Sequence, residues 1–326
     1  MRAVVVGCGA VGARAARQLL FLGRVDDLVV VDTDAKRAAA VVASLGSPAR
    51  VAAALPSGAD VVVLAAPGVE RATAEEALDG GASVVSVADA EAEVAGLLEL
   101  DAAARETGRH VVVGAGVSPG LSCVLAAHAA RSFERVDEVH VAKVGAGGPA
   151  CATQHHRALA GPAAGWHDGA WERTPGGSGR ELVWFPDPVG AVDCYRAALS
   201  EPLLLVPAFA GVSRVSARVG ASRRDRLTAR LPMLRRPHPE GNLGAVRVEV
   251  RGSQGVATDH RVLGVVDRPA VAAAVVAAVA ARWAVDGRLT RTGAAGLAAL
   301  VEPGPFLAVL ADRGVKAAVF EGAVIA

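Results

Sequence analysis

Aromatic side chains are scarce in this chain of 326 residues: six Phe, four Trp and one Tyr, or 3% of the sequence. That excludes the base-stacking surfaces with which single-stranded nucleic acids are held. Excess charge is missing too. The formal net charge is +1, which gives no basic face for a phosphate backbone or an anionic membrane. Cysteines number four (Cys8, Cys123, Cys151, Cys194), with no C-x-x-C pair, so they are expected to be reduced thiols. The apolar run 270–281 is 12 residues long and closes on Arg282, too short to span a bilayer, and reads as a buried helix. Met1-Arg2 leads straight into a strand pattern without a leader, and a cytoplasmic protein is expected. Lysine is the last scarcity. Only Lys36, Lys143 and Lys316 stand among 34 basic residues, so a retained lysine hints at a need for an amine.

What is present is a nucleotide-binding pattern. An apolar run (Ala3–Val6) meets Gly7-Cys8-Gly9-Ala10-Val11-Gly12, then a helical run to Leu22, then Leu28–Val31 ending on Asp32 and Thr33. Gly7 permits a tight turn, Gly9 lets backbone approach a pyrophosphate, and Gly12 lets helix and strand pack closely. The helix N-terminus, with Ala10 and Val11, offers N–H groups and a positive dipole end to phosphates. Asp32, 20 residues beyond Gly12, is placed to accept from a ribose hydroxyl. Its charge and that of Asp34 oppose a 2′-phosphate, so NAD is expected; Lys36 and Arg37 keep NADP as the alternative.

Short apolar segments alternate with helical ones up to residue 114, including 60–66, 83–87 and 110–114. This predicts an α/β fold with a doubly wound parallel sheet. Ligands on such sheets lie beyond the strand C-terminal ends. That singles out Ala66, Pro67, Asp89, Gly116, Ser118 and Pro119. Ser118-Pro119 reads as N-cap and first residue of an apolar helix to Ala130, with N–H groups free for a carboxylate. After about residue 135 the pattern changes to ribbons, with Asp168-Gly169 as a hairpin turn and a second hairpin around 252–255. A nucleotide-binding domain (1–121) and a second α+β domain on a largely antiparallel sheet (122–326) are expected, with 285–326 free to pack back on the first.

Gly114–Ser122 resembles the Gly-x-x-Pro-Gly-Leu-Ser segment of the saccharopine dehydrogenase-like family. Gly147-Gly148-Pro149, Phe185–Gly190, Ser200-Glu201-Pro202, Arg313-Gly314 and Phe320-Glu321 agree with it. The resemblance implies a dehydrogenase or reductase acting at a carbon–nitrogen bond of an amino or imino acid, with nicotinamide as hydride carrier. It also implies a homodimer through the second domain. Two departures stand out: the stretch Cys151–Arg157, and Ser86-Val87-Ala88-Asp89, which lacks the family's aromatic before the acid. A hydroxy-acid or alcohol dehydrogenase and a non-catalytic dinucleotide sensor remain the other readings.

Chemistry at nitrogen needs a group that moves a proton near neutral pH. His155 and His156 are the candidates, pointing about 100° apart on a helix, so that one of the two faces a cleft. Lys143 is a candidate for carboxylate binding, or for acid–base work if burial lowers its pKa, and Asp89 for binding an amine. Cys151 and His155 have C-x₃-H spacing, but no second ligand pair accompanies them, so no metal is expected. Trp166, Trp171, Trp184 and Tyr195 are offered either as pocket walls or as hairpin packing, and Arg157, Arg180 and Arg196 as carboxylate clamps.

Overall fold

The computed structural model describes residues 1–68, 70–233, 236–315 and 317–320. Lys316 and Glu321 lie outside the described residues. Strands β1 (Arg2–Val6), β2 (Asp27–Val31), β3 (Ala49–Val51), β4 (Val61–Leu64), β5 (Ser83–Ser86) and β6 (His110–Val112) all pair in parallel. Except in the exposed edge strand β3, their apolar runs are largely buried on both faces, as a parallel sheet covered by helices requires.

From residue 135 the chain builds a second sheet. It contains β7 (Arg135–Val144), β8 (Ala163–His167), β9 (Ala170–Thr174), β10 (Glu181–Phe185), β11 (Gly190–Arg196), β12 (Arg214–Gly220), β13 (Gly244–Gln254) and β14 (Ala257–Asp267). The chain then returns to the first sheet with β15 (Gly293–Ala295) and to the second with β16 (Ala317–Phe320). The first sheet runs β15-β6-β5-β4-β1-β2-β3 and the second β10-β11-β12-β7-β13-β14-β16, with the β8–β9 hairpin attached to β12. Only β7 and β12 pair in parallel in the second sheet; its other described pairs are antiparallel.

Asp168 and Gly169 both take positive φ (46° and 84°), the turn chemistry their sequence suggests. The second hairpin is longer than the sequence implies: pairing runs on to Gln254 and Ala257, so Gly252 and Ser253 lie in strand and the turn is Gly255-Val256. The apolar run near 270 is a buried helix, Pro269–Val285. It packs on the helix Gly12–Leu22 and on β4 and β5, so one apolar core spans N- and C-terminal segments. No described helix is long and apolar enough to cross a membrane.

One boundary differs from the sequence reading. The helix expected from Ser118 begins at Leu121, and its N-cap is Gly120, at φ 124°. The amides of Leu121 and Ser122 donate back to the carbonyls of Gly116 and Val117. This tight return leaves no room for a side chain at residue 120, where a Cβ would lie 2.1 Å from the Gly116 oxygen. Those amides are therefore spent inside the turn.

Candidate active site

The glycine-rich turn follows β1, and Gly7 is tied to β2 through its amide on Val31 O (2.8 Å). At Gly12 any Cβ would fall 1.8 Å from Gly7 O, so close helix–strand approach demands glycine there. At Gly9 the reverse holds. A Cβ would meet no protein atom within 4 Å, and the space above belongs to a cavity of about 1230 Å³. Such a cradle fits a pyrophosphate.

Apart from Gly12, which lies beneath, every residue expected at the cofactor lines this cavity: Gly7, Gly9, Ala10, Val11, Asp32, Thr33, Ala66, Pro67, Gly116, Ser118 and Pro119. The Asp32 carboxylate accepts from Cys8 N (2.5 Å) and Asp34 N (2.8 Å), which holds it at the end of β2. Arg37 stands 3.8 Å from it and also lines the cavity, whereas Lys36 does not. The second sheet closes over the turn: a Cβ on Gly148 would lie 3.2 Å from Ala10 Cβ, and Arg14 pairs with Glu240.

The far wall is polar. Asp89 follows β5, and Cys151 and His155 sit one turn apart on the helix Pro149–Ala158. His155 Nε2 lies 3.1 Å from Asp89 Oδ2 and 3.5 Å from Cys151 Sγ, and that sulfur lies 3.6 Å from the same carboxylate oxygen. Burial alone would lower the His155 pKa, but Cys151 and Asp89 outweigh it and push it up to about 9. Burial would raise Asp89, yet the His155 hydrogen bond and charge hold its carboxyl below the usual range.

Lys143, next to last in β7, is 3% exposed and donates to Ser118 O (2.7 Å). Its Nζ is 3.3 Å from Glu201 Oε1, which also accepts from Ser118 Oγ at 2.6 Å. Burial pulls the ammonium pKa down, but Glu201, Asp89 and Cys151 pull harder, and the net shift is upward. That direction favours the ammonium form, the opposite of the lowered pKa that acid–base work by this lysine would need. Ser118 likewise serves Glu201 rather than a helix cap.

His156 takes no part in this wall. It is buried, and its Nε2 bonds Thr228 O (3.0 Å) and Leu231 O (3.2 Å). The aromatic residues line the cavity nowhere. Trp166 stacks edge-on against Trp171 and donates to Val212 O, Tyr195 is buried under Arg226, and Trp184 is exposed. Of the three candidate arginines only Arg157 reaches the cavity; Arg180 pairs with Asp193.

Two acids went unread as site residues in the sequence. Glu201 is fully buried, and its Oε2 has no partner among the described residues. An acid heading the apolar run Pro202–Val206 was the available signal. Glu70 lines the cavity and touches the Ser86 hydroxyl. Burial raises its pKa well above the usual carboxyl value.

No protein-family model matches the chain, and no curated protein sequence matches it. Solved structures do. The chain is similar to apo histidine-tagged saccharopine dehydrogenase (L-Glu forming) from Saccharomyces cerevisiae, with a TM-score of 0.69 at 14% identity, over 98% of this chain and 100% of that one. It has that enzyme's fold. Looser likenesses include GenD2 from gentamicin A biosynthesis in complex with NAD (TM-score 0.47, 17% identity, 99% of this chain and 97% of that one). Another is a putative myo-inositol dehydrogenase from Sinorhizobium meliloti 1021 (0.48, 12%, 98% and 100%). The saccharopine dehydrogenase fold includes both sheets, since the alignment runs through nearly the whole of each chain.

Proposed function

We propose that this saccharopine dehydrogenase-like chain is an NAD-dependent oxidoreductase acting at the carbon–nitrogen bond of an amino or imino acid. The observation that carries the reading is the convergence of Asp89, His155 and charged Lys143 on the cavity that the glycine-rich turn opens into. When bound, the nicotinamide supplies the hydride acceptor or donor. Lys143 has three ammonium hydrogens and spends two on Ser118 O and Glu201. The third serves the substrate carboxylate. His155, hydrogen-bonded to Asp89 at Nε2, is the group that gives or takes the proton for the chemistry at nitrogen.

Steady-state absorbance at the NADH band across amino acids, and across keto acids with ammonia, tests the reading. Ammonia-dependent NADH consumption is expected. Turnover indifferent to ammonia would favour a hydroxy-acid dehydrogenase, and failure to bind either nicotinamide cofactor would sink both.

Cofactor choice rests on Asp32. Asp32→Asn removes the charge and leaves an oxygen acceptor for only one of the Cys8 and Asp34 amides, which use different carboxylate oxygens, and it frees Arg37 to meet a 2′-phosphate. The ratio of NAD to NADP affinity should fall by about tenfold, read as Kd for each cofactor. A wild type that already prefers NADP would reverse the assignment. A homodimer through the second sheet belongs to the same reading: β10 is an edge strand, with Leu182 and Trp184 exposed. All four cysteines are free thiols, which suits a reducing compartment such as the cytoplasm.

A further inference from the structure

The three atoms around His155 Nε2 do not form a proton relay. In a relay the imidazole uses one ring nitrogen toward the acid and the other toward the nucleophile. Here Asp89 Oδ2 and Cys151 Sγ both approach Nε2, and they also approach each other. A single Nε2–H can only be shared between them, with poorer geometry toward each. One atom from each of three residues closes a triangle with edges of 3.1, 3.5 and 3.6 Å.

That triangle has the dimensions of a coordination face. With metal–sulfur, metal–nitrogen and metal–oxygen bonds of about 2.3, 2.05 and 2.0 Å at tetrahedral angles, the S···N, N···O and S···O edges come to about 3.6, 3.3 and 3.5 Å. The corresponding separations are 3.5, 3.1 and 3.6 Å. Each of the three agrees within the tolerance of about 0.2 Å applied to such sites.

We propose that Asp89, Cys151 and His155 form a three-ligand site for a zinc-type divalent cation, with the fourth position open to the cavity. A thiolate, an imidazole and a carboxylate are the donors that a borderline-soft cation takes, not a magnesium or calcium set. Charge agrees. Ionised Cys151 and Asp89 supply two negative charges for a dication, and the Lys143 ammonium, which also feels both groups, pairs with Glu201 at 3.3 Å. All three ligands line the cavity, and three protein ligands with one open vertex is the arrangement of a reactive zinc rather than a structural one. The site escapes the sequence because Cys151 and His155 supply two ligands one helical turn apart, while the third comes from Asp89, 62 residues before Cys151.

Cation and proton exclude each other on Nε2, so the cation-loaded protein cannot move a proton through His155. The test reads binding directly. Chelator-stripped, full-length protein titrated with cobalt(II) should take up one equivalent. It should show a thiolate-to-cobalt charge-transfer band in the near ultraviolet and the intense visible bands of tetrahedral cobalt, and zinc should displace both. Cys151→Ser should abolish the charge-transfer band, and Asp89→Asn should weaken binding by more than about 100-fold, beyond what an outer-shell contact costs.

Because Cys151 is the one thiol not fully buried among four, alkylation offers a second route that needs no variant. Zinc should slow carboxymethylation of Cys151 in the wild type by about tenfold or more, read by peptide mass. No stoichiometric cobalt uptake, a charge-transfer band that survives in Cys151→Ser, or an unchanged alkylation rate would overturn the site. None of these measurements involves turnover, so their failure and the failure of the oxidoreductase reading are separable.

Discussion

His155→Ala is expected to lower turnover by about 10²–10⁴, the range for a general acid–base group, with NAD affinity unchanged. Its imidazole meets Asp89 and Cys151 in the polar wall and lies away from the glycine-rich turn, so cofactor binding has no reason to suffer. His156→Ala should behave differently. It strips a donor from two carbonyls, Thr228 O and Leu231 O, the second on an exposed residue, at a cost of about 0.5–1.5 kcal/mol of stability. Turnover and urea denaturation measured on both variants check this. A His156 variant that is slow yet fully stable would exchange the two roles.

Lys143→Met should destabilise the fold by about 3–5 kcal/mol, the cost of leaving one member of a buried ion pair alone. Glu201 would keep only the Ser118 hydroxyl, and its second oxygen already lacks a partner among the described residues. The double variant Lys143→Met/Glu201→Gln should recover most of that loss, because neither member of the pair then carries a charge. Denaturant midpoints of wild type, single and double variants decide it. A single variant as stable as the wild type would show that Glu201 is neutralised some other way.

The cofactor side of this site was legible because it is written locally. The turn Gly7–Gly12, the strand behind it and Asp32 fall within one stretch of sequence, and each residue's task follows from backbone geometry. The catalytic wall is not written that way. Asp89 meets His155 across 66 residues, and Lys143 pairs with Glu201, 58 residues further on, through sheet pairings that no local pattern encodes. Ser118-Pro119-Gly120 misleads for a related reason. Capping rules look ahead into the helix, whereas here the carbonyls of Gly116 and Val117 reach forward and take the amides first. The divergence of His155 and His156 was readable from helical periodicity; which of them faces the cavity depends on Thr228 and Leu231, supplied by a distant segment.

The return of the chain to its first sheet bears on how the protein comes into being. β6 receives β15 as its outer neighbour, and β4 and β5 receive the helix Pro269–Val285 as their cover. During synthesis the nucleotide-binding half therefore leaves the ribosome with a bare sheet edge and an uncovered apolar face, and it stays so until nearly 300 residues have been made. Such long-range closure slows folding, because the loop must be paid in entropy before the contacts reward it. A fragment ending near residue 121 is therefore expected to aggregate rather than bind dinucleotide.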